Sequence, residues 1–206
     1  MTNVPIKYLP KSLTRKDKKK YSQELRKSRR AYKKGKYVTR KRVKSYKKKP
    51  SKHVLNAQKI YNIDSISANK ALAKKTGCSV GALRKIVKKG QGAYYSSGSR
   101  PNQTGHSWGR ARLASAITGG KAAAVDYGIL EKGCRSNSKA LKMAKTARKK
   151  HGYGTRRVPK TKMRGGSPSN RTEICSGARD GISGCNDCCG TNIECVDVCM
   201  GNNTSN

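Results

Sequence analysis

The sequence predicts a mainly α protein, with a small helical core, a long extended basic N-terminal arm and a Cys-rich, disulfide-stabilised C-terminal tail. Three observations predict it. In the central part of the chain apolar residues recur every three or four positions, as in Val80, Leu83, Ile86 and Val87, which buries one face of a helix. Charge is one-sided: 49 Lys and Arg against 10 Asp and Glu give +39 over 206 residues, and residues 1–52 alone hold 22 basic and 2 acidic residues, a net of +20. Six of the 8 cysteines fall in residues 171–206, which carry 2 basic and 5 acidic residues, a net of −3. The chain therefore divides into a basic arm (1–52), a small helical core (53–135), a basic helix and linker (136–170) and a Cys-rich tail (171–206).

The arm holds two dense basic runs, Arg15 to Lys20 and Lys33 to Lys52, with Tyr8, Tyr21, Tyr32, Tyr37 and Tyr46 between the charges. So few aliphatic residues predict no core of its own, and disorder or a solvated helix over Leu13 to Tyr32 when it is alone in water. Gly35 and Pro50 interrupt anything longer. Basic residues with interleaved aromatics suit a partner-binding arm, with Arg15, Lys18, Arg29, Arg30, Tyr32, Lys33, Arg40, Arg42 and Tyr46 as the contact candidates.

In the core region Ser65 or Ser67 is the expected cap of a helix reaching about Lys75, with Gly77 as its stop. Ser79 caps a second helix, expected to end at Gly90, and residues 90–99 then read as a Gly/Ser loop. This helix, Gly turn, helix segment resembles a helix-turn-helix DNA reader with Arg84, Lys85, Lys88 and Lys89 toward phosphates, although an ordinary αα-hairpin is the plainer reading. Thr104 or Ser107 begins a helix through Trp108, Leu113 and Ile117, closed by Gly119 and Gly120. Ala122 to Leu130 forms the next element, and Ser138 caps a basic helix ended by Gly152. The expected core is Trp108, at its centre, with Leu113, Ile117, Leu83 and Ile86.

Catalytic chemistry needs convergent titratable groups, and no two carboxylates of the core region sit at helical spacing. Cys78 and His106 are a conceivable nucleophile and base, but no local signature surrounds Cys78, so a lone buried cysteine is the expectation. The sequence thus predicts no catalytic residue, no small-molecule substrate and no cofactor. The tail cysteines, Cys175, Cys185, Cys188, Cys189, Cys195 and Cys199, are expected to form three disulfides, because a short segment with little apolar mass needs covalent closure. Zinc held through Cys185-x-x-Cys188 and Cys195-x3-Cys199 is the minority alternative, and it leaves Cys175 and Cys189 unused. No run approaches the length of a membrane span, and the N-terminus lacks the apolar stretch of a signal peptide.

Two blocks carry a resemblance. Residues 8–63 begin YLPKSLTRKDKKKYSQELRKSRRAYKKGKY, and residues 88–130 read KKGQGAYYSSGSRPNQTGHSWGRARLASAITGGKAAAVDYGIL. Both resemble a family of small basic proteins of unknown function from large double-stranded DNA viruses of algae and amoebae. The tail lies outside this resemblance, and the family offers no established catalytic residues to carry over. The resemblance implies a late virion protein assembled in the host cytoplasm, where a virus-encoded thiol oxidase would permit disulfides. On that basis the expected role is a non-enzymatic minor capsid protein on the inner side of the shell. It would clamp capsomers through its basic arm, with the major capsid protein and other minor capsid proteins as partners. An anionic inner membrane or viral DNA, bound by nonspecific electrostatics, are further partners, and DNA condensation is the alternative function.

Overall fold

The computed structural model describes residues 3–152 and 160–162. Among them are eight α-helices and one two-stranded antiparallel sheet, in which β1 (Asn3–Pro5) pairs with β2 (Lys160–Lys162). The helices are α1 (Arg15–Lys33), α2 (Lys52–Tyr61), α3 (Lys70–Thr76), α4 (Val80–Ser96), α5 (Gly105–Ile117), α6 (Lys121–Val125), α7 (Tyr127–Gly133) and α8 (Lys139–His151).

Local chemistry sets most of these ends. The side chains of Thr14, Asn69, Ser79, Thr104 and Ser138 each accept a hydrogen bond from a first-turn backbone N–H, which satisfies a donor that the helix itself leaves free. Thr104 and Ser107 do so reciprocally, as a capping box. Gly77 takes the left-handed conformation (φ +70°) that ends α3. The cap of α3 is therefore Asn69, four residues beyond the expected Ser65 and two beyond Ser67.

α4 runs six residues past its expected end at Gly90. Gly90 is a crossing point instead of a stop. A Cβ there would lie 2.7 Å from the Cα of Gly109 on α5, so paired glycines let the two backbones approach closely. Leu83 and Ile86 of α4 meet Leu113 and Ile117 of α5 in this crossing, and all four are fully buried. Tyr61, Leu72, Leu130, Leu141 and Ala144 close the cluster from α2, α3, α7 and α8. The element expected over Ala122 to Leu130 is two helices. They meet at Asp126, whose backbone (φ −102°, ψ 16°) breaks the helical run.

The extended arm is corrected. Residues 4–46 fold against α4 and α5 around a second apolar cluster of Val4, Tyr8, Leu9, Leu13, Tyr21, Leu25 and Val43, with Tyr46 and Trp108 at its edge. α1 is not a solvated helix, because Tyr21, Ser22, Leu25 and Ser28 form a buried stripe along it. The chain after Gly35 returns antiparallel along α1. Lys41 N–H donates to Glu24 (2.9 Å), and Ser45 N–H and Oγ donate to Asp17 (2.8 and 2.7 Å). Asn102 locks the other side, accepting from Val43 N–H and donating to the carbonyls of Val43 and Tyr46. Trp108 is correspondingly not the centre of the core. It is half-buried and packs edge-to-face with Tyr8, ring centroids 6.0 Å apart, while Leu113 and Ile117 belong to the main cluster.

Cys78 is not a lone cysteine. It is disulfide-bonded to Cys134, 56 residues away. Flanking backbone bonds support the link: Ser79 N–H donates to Gly133 O (2.7 Å) and Arg135 N–H to Gly77 O (2.9 Å). The expected linker and the six tail cysteines lie outside the described residues, apart from the short β2.

Candidate nucleic-acid interface

Residues 3–152 hold 42 of the 49 basic residues and 5 of the 10 acidic ones. Three of those five carboxylates are engaged with the fold. Asp17 and Glu24 bind the returning strap, and the Ser45 hydroxyl and N–H hold the Asp17 carboxyl below its ordinary pKa. Asp126 is fully buried, accepts two bonds from Arg112 (2.7 and 2.9 Å) and pairs with Lys89 at 2.8 Å. Most of the cations of residues 3–152 are exposed, and they outnumber the carboxylates of that stretch 42 to 5.

Of the sequence-derived contact candidates, Arg15, Arg30, Lys33 and Arg42 are exposed, and Lys18, Arg29, Tyr32 and Tyr46 are half-buried. Arg40 is corrected: it is 5% exposed and cannot meet a partner. Its guanidinium lies 3.7 Å over the Tyr94 ring and donates to Ser28 Oγ (3.0 Å), Tyr94 O (3.0 Å) and Ser99 Oγ (2.8 Å). Arg40 thereby ties α1, the end of α4 and the 97–103 loop together. Tyr21 completes this polar junction by donating to the carbonyls of Ser99 and Arg100, and burial raises its pKa.

Two further positive surfaces lie beyond the contact candidates of the arm. One is the outer face of α4 with the adjoining cleft. Arg84, Lys85 and Lys88 are exposed, and Lys85, Lys89 and Lys132 line an open cleft of about 510 Å³ between α4 and α7, with Gly81, Gly128 and buried Asp126. The sequence placed Arg84, Lys85, Lys88 and Lys89 on this face; the structure exposes the first three and pairs Lys89 with Asp126. The other surface surrounds Lys7. Surrounding residues of the fold partly desolvate its ammonium, Arg100 and Lys121 repel it, and its pKa falls. Desolvation followed by Arg100 lowers His53 in the same way.

Residues 5–139 match the model of a family described as a family of unknown function, DUF5824. The chain belongs to this DUF5824 family. The matched stretch starts in β1 and ends on the first residue of α8, so it takes in the Arg40 junction, the α4–α7 cleft, the Cys78–Cys134 bond and both apolar clusters apart from Val4 and the α8 residues Ala140, Leu141, Ala144 and Ala147. The DUF5824 region thus treats the expected arm and the helical core as one unit. No curated protein and no solved structure matches the chain.

Within the DUF5824 region the Cys78 and His106 pair does not assemble. Cys78 has no free thiol, and exposed His106 sits beside Gln91 at 3.4 Å. Among the described residues no three His, Cys, Asp or Glu side chains gather as a metal-binding group. None of the described helices is long and apolar enough to cross a membrane.

Proposed function

We propose that the chain is a non-enzymatic structural protein of a virion whose folded basic domain holds a polyanion, and that packaged DNA is that partner. The observation that carries this reading is the sorting of charge. Asp17, Glu24 and Asp126 are bound to the protein's own backbone and cations, while Arg84, Lys85, Lys88 and the α1 cations Arg15, Arg30 and Lys33 face solvent. A surface of this kind gains affinity by releasing the counterions condensed on a nucleic acid. The virion setting rests on the resemblance of residues 8–63 and 88–130 to small basic proteins of large DNA viruses.

The second reading is a minor capsid protein that clamps capsomers beneath the shell, with the major capsid protein, other minor capsid proteins and the inner membrane as neighbours. It drew on the reach of an extended arm, and the packing of residues 4–46 against α4 and α5 shortens that reach. The acidic Cys-rich segment 171–206, a material unlike the rest of the chain, is the observation in its favour. Stripping the shell and membrane from gradient-purified particles distinguishes the two. The protein should stay with the DNA-containing core and leave it at raised salt. Departure with the shell would favour the clamp, and absence from purified particles would overturn both.

A further inference from the structure

We propose that α3, the Gly77 turn and α4 form a helix-turn-helix that sets the first two and a half turns of α4 in the major groove of B-form DNA. Gly81, Arg84, Lys85 and Lys88 would face the groove, and the cleft beside them would take a phosphodiester strand. This inference rests on the polyanion-binding reading and deepens it by naming the nucleic acid and the groove.

The helix pair has an inside and an outside. Leu72, Thr76, Cys78, Leu83 and Ile86 are at most 4% exposed and form the inside. At about 100° per residue, positions 81, 84, 85 and 88 share one arc of α4, opposite Leu83, Ile86, Gly90 and Tyr94. Arg84, Lys85 and Lys88 have no ion-pair partner among the described residues. With its side chains an α-helix is about 10–12 Å across, which suits a major groove about 12 Å wide.

Gly81 supplies an independent observation. It lies inside α4, has no positive φ, and a Cβ built on it meets nothing within 4 Å. Neither packing nor backbone conformation requires glycine there, and glycine weakens a helix relative to alanine by about 0.5–1 kcal/mol. In the middle of a basic face, a missing side chain lets a partner approach the helix axis. Gly128, on the other lip of the cleft, is equally unobstructed. The helix is also held in place before any partner arrives. The Cys78–Cys134 bond and the Ser79 and Arg135 backbone bonds fix its start, which lowers the ordering cost of docking.

The same face argues against other anions. A helix lying in a membrane interface needs an apolar side, and Gly81, Arg84, Lys85 and Lys88 offer none. The major groove of A-form RNA is too deep and narrow to admit a helix.

The test uses the full chain and mixed-sequence DNA duplexes at about 150 mM salt, with dimethyl sulfate reporting guanine N7 in the major groove. The wild type should protect N7. The triple variant R84A/K85A/K88A should lose that protection and bind about tenfold more weakly, whereas K139A/K142A/K145A on exposed α8 positions, which removes equal charge, should keep it. Gly81→Glu separates binding from folding. It should leave the thermal midpoint unchanged or higher, since an acidic first-turn residue favours a helix, yet weaken DNA binding. Duplex binding without N7 protection, equal losses in the two triple variants, or equal affinity for double-stranded RNA would overturn the groove placement and leave the polyanion reading standing. Binding to phosphatidylserine vesicles with none to duplexes would overturn both the groove and DNA as the partner.

Discussion

Replacing Arg40 with alanine tests whether residues 4–46 belong to the folded domain. The guanidinium makes three hydrogen bonds of 2.8–3.0 Å and sits 3.7 Å over the Tyr94 ring. Bonds from a charged donor contribute about 1.5–3 kcal/mol each, and the ring contact about 1–2 kcal/mol. Against that stands the cost of burying a cation with no carboxylate beside it, several kcal/mol. The difference leaves Arg40→Ala about 3 kcal/mol less stable, with Ser28 and Ser99 losing their partner. Urea denaturation of the full chain, followed by far-UV circular dichroism, should show a midpoint about 1.5 M lower for a denaturant slope near 2 kcal/mol per M. Exposed Arg42, two residues on, is the control, and Arg42→Ala should stay within about 0.5 kcal/mol of wild type. Equal midpoints for the two variants would refute the packing of this segment. Arg40→Lys should not restore stability, because one ammonium cannot reproduce a fork that reaches Ser28, Tyr94 and Ser99 together.

Gly90→Ala should cost about 1–3 kcal/mol in the same denaturation assay despite the better helix propensity of alanine, because the added methyl meets Gly109 at 2.7 Å and Arg112 at 3.1 Å. Gly92→Ala, whose nearest neighbour is the Tyr32 hydroxyl at 3.7 Å, should be neutral or slightly stabilising. The C78A/C134A variant should lose up to about 4 kcal/mol, the chain-entropy value for a 56-residue separation. Intact mass should fall on oxidation by about 2 Da for this bond alone and by about 8 Da if the six tail cysteines also pair. Asp17 is held below its unfolded pKa by Ser45, so its contribution is present above the ordinary carboxylate range and is lost as pH falls through its lowered folded value. Acid unfolding profiles of wild type and Asp17→Asn should therefore converge at low pH and separate toward neutrality.

Features encoded within a few residues were legible in the sequence. Ser79, Thr104 and Ser138 announce the starts of α4, α5 and α8, and Gly77 and Gly152 the ends of α3 and α8, because a cap acts over a single turn. What depends on distant partners was not. Gly90 reads as a breaker until Gly109 is seen across from it, and Cys78 reads as solitary until the fold brings Cys134 to it. Tyr21 and Leu25 were diluted by surrounding lysines, so a helix with a buried stripe looked like a charged, solvated one. Arg40 could not be told from its neighbours, since Ser28, Tyr94 and Ser99 come from three separate segments. The α4 face was visible as a basic helix after a Gly turn, but the cleft with Lys132 and Gly128 needed α7 beside it.

Binding of nucleic acid by the surface charge of the folded basic domain should show itself in the salt dependence of duplex binding by the full chain. If exposed Lys74 and Lys75 of α3, Arg84, Lys85 and Lys88 of α4 and Lys132 of the cleft each meet a phosphate, about six phosphates are neutralised and log K against log salt should fall with a slope of about −5, alike on two unrelated duplexes. An affinity that stays flat from about 50 to 200 mM salt, or no binding at the lower end, would contradict the account.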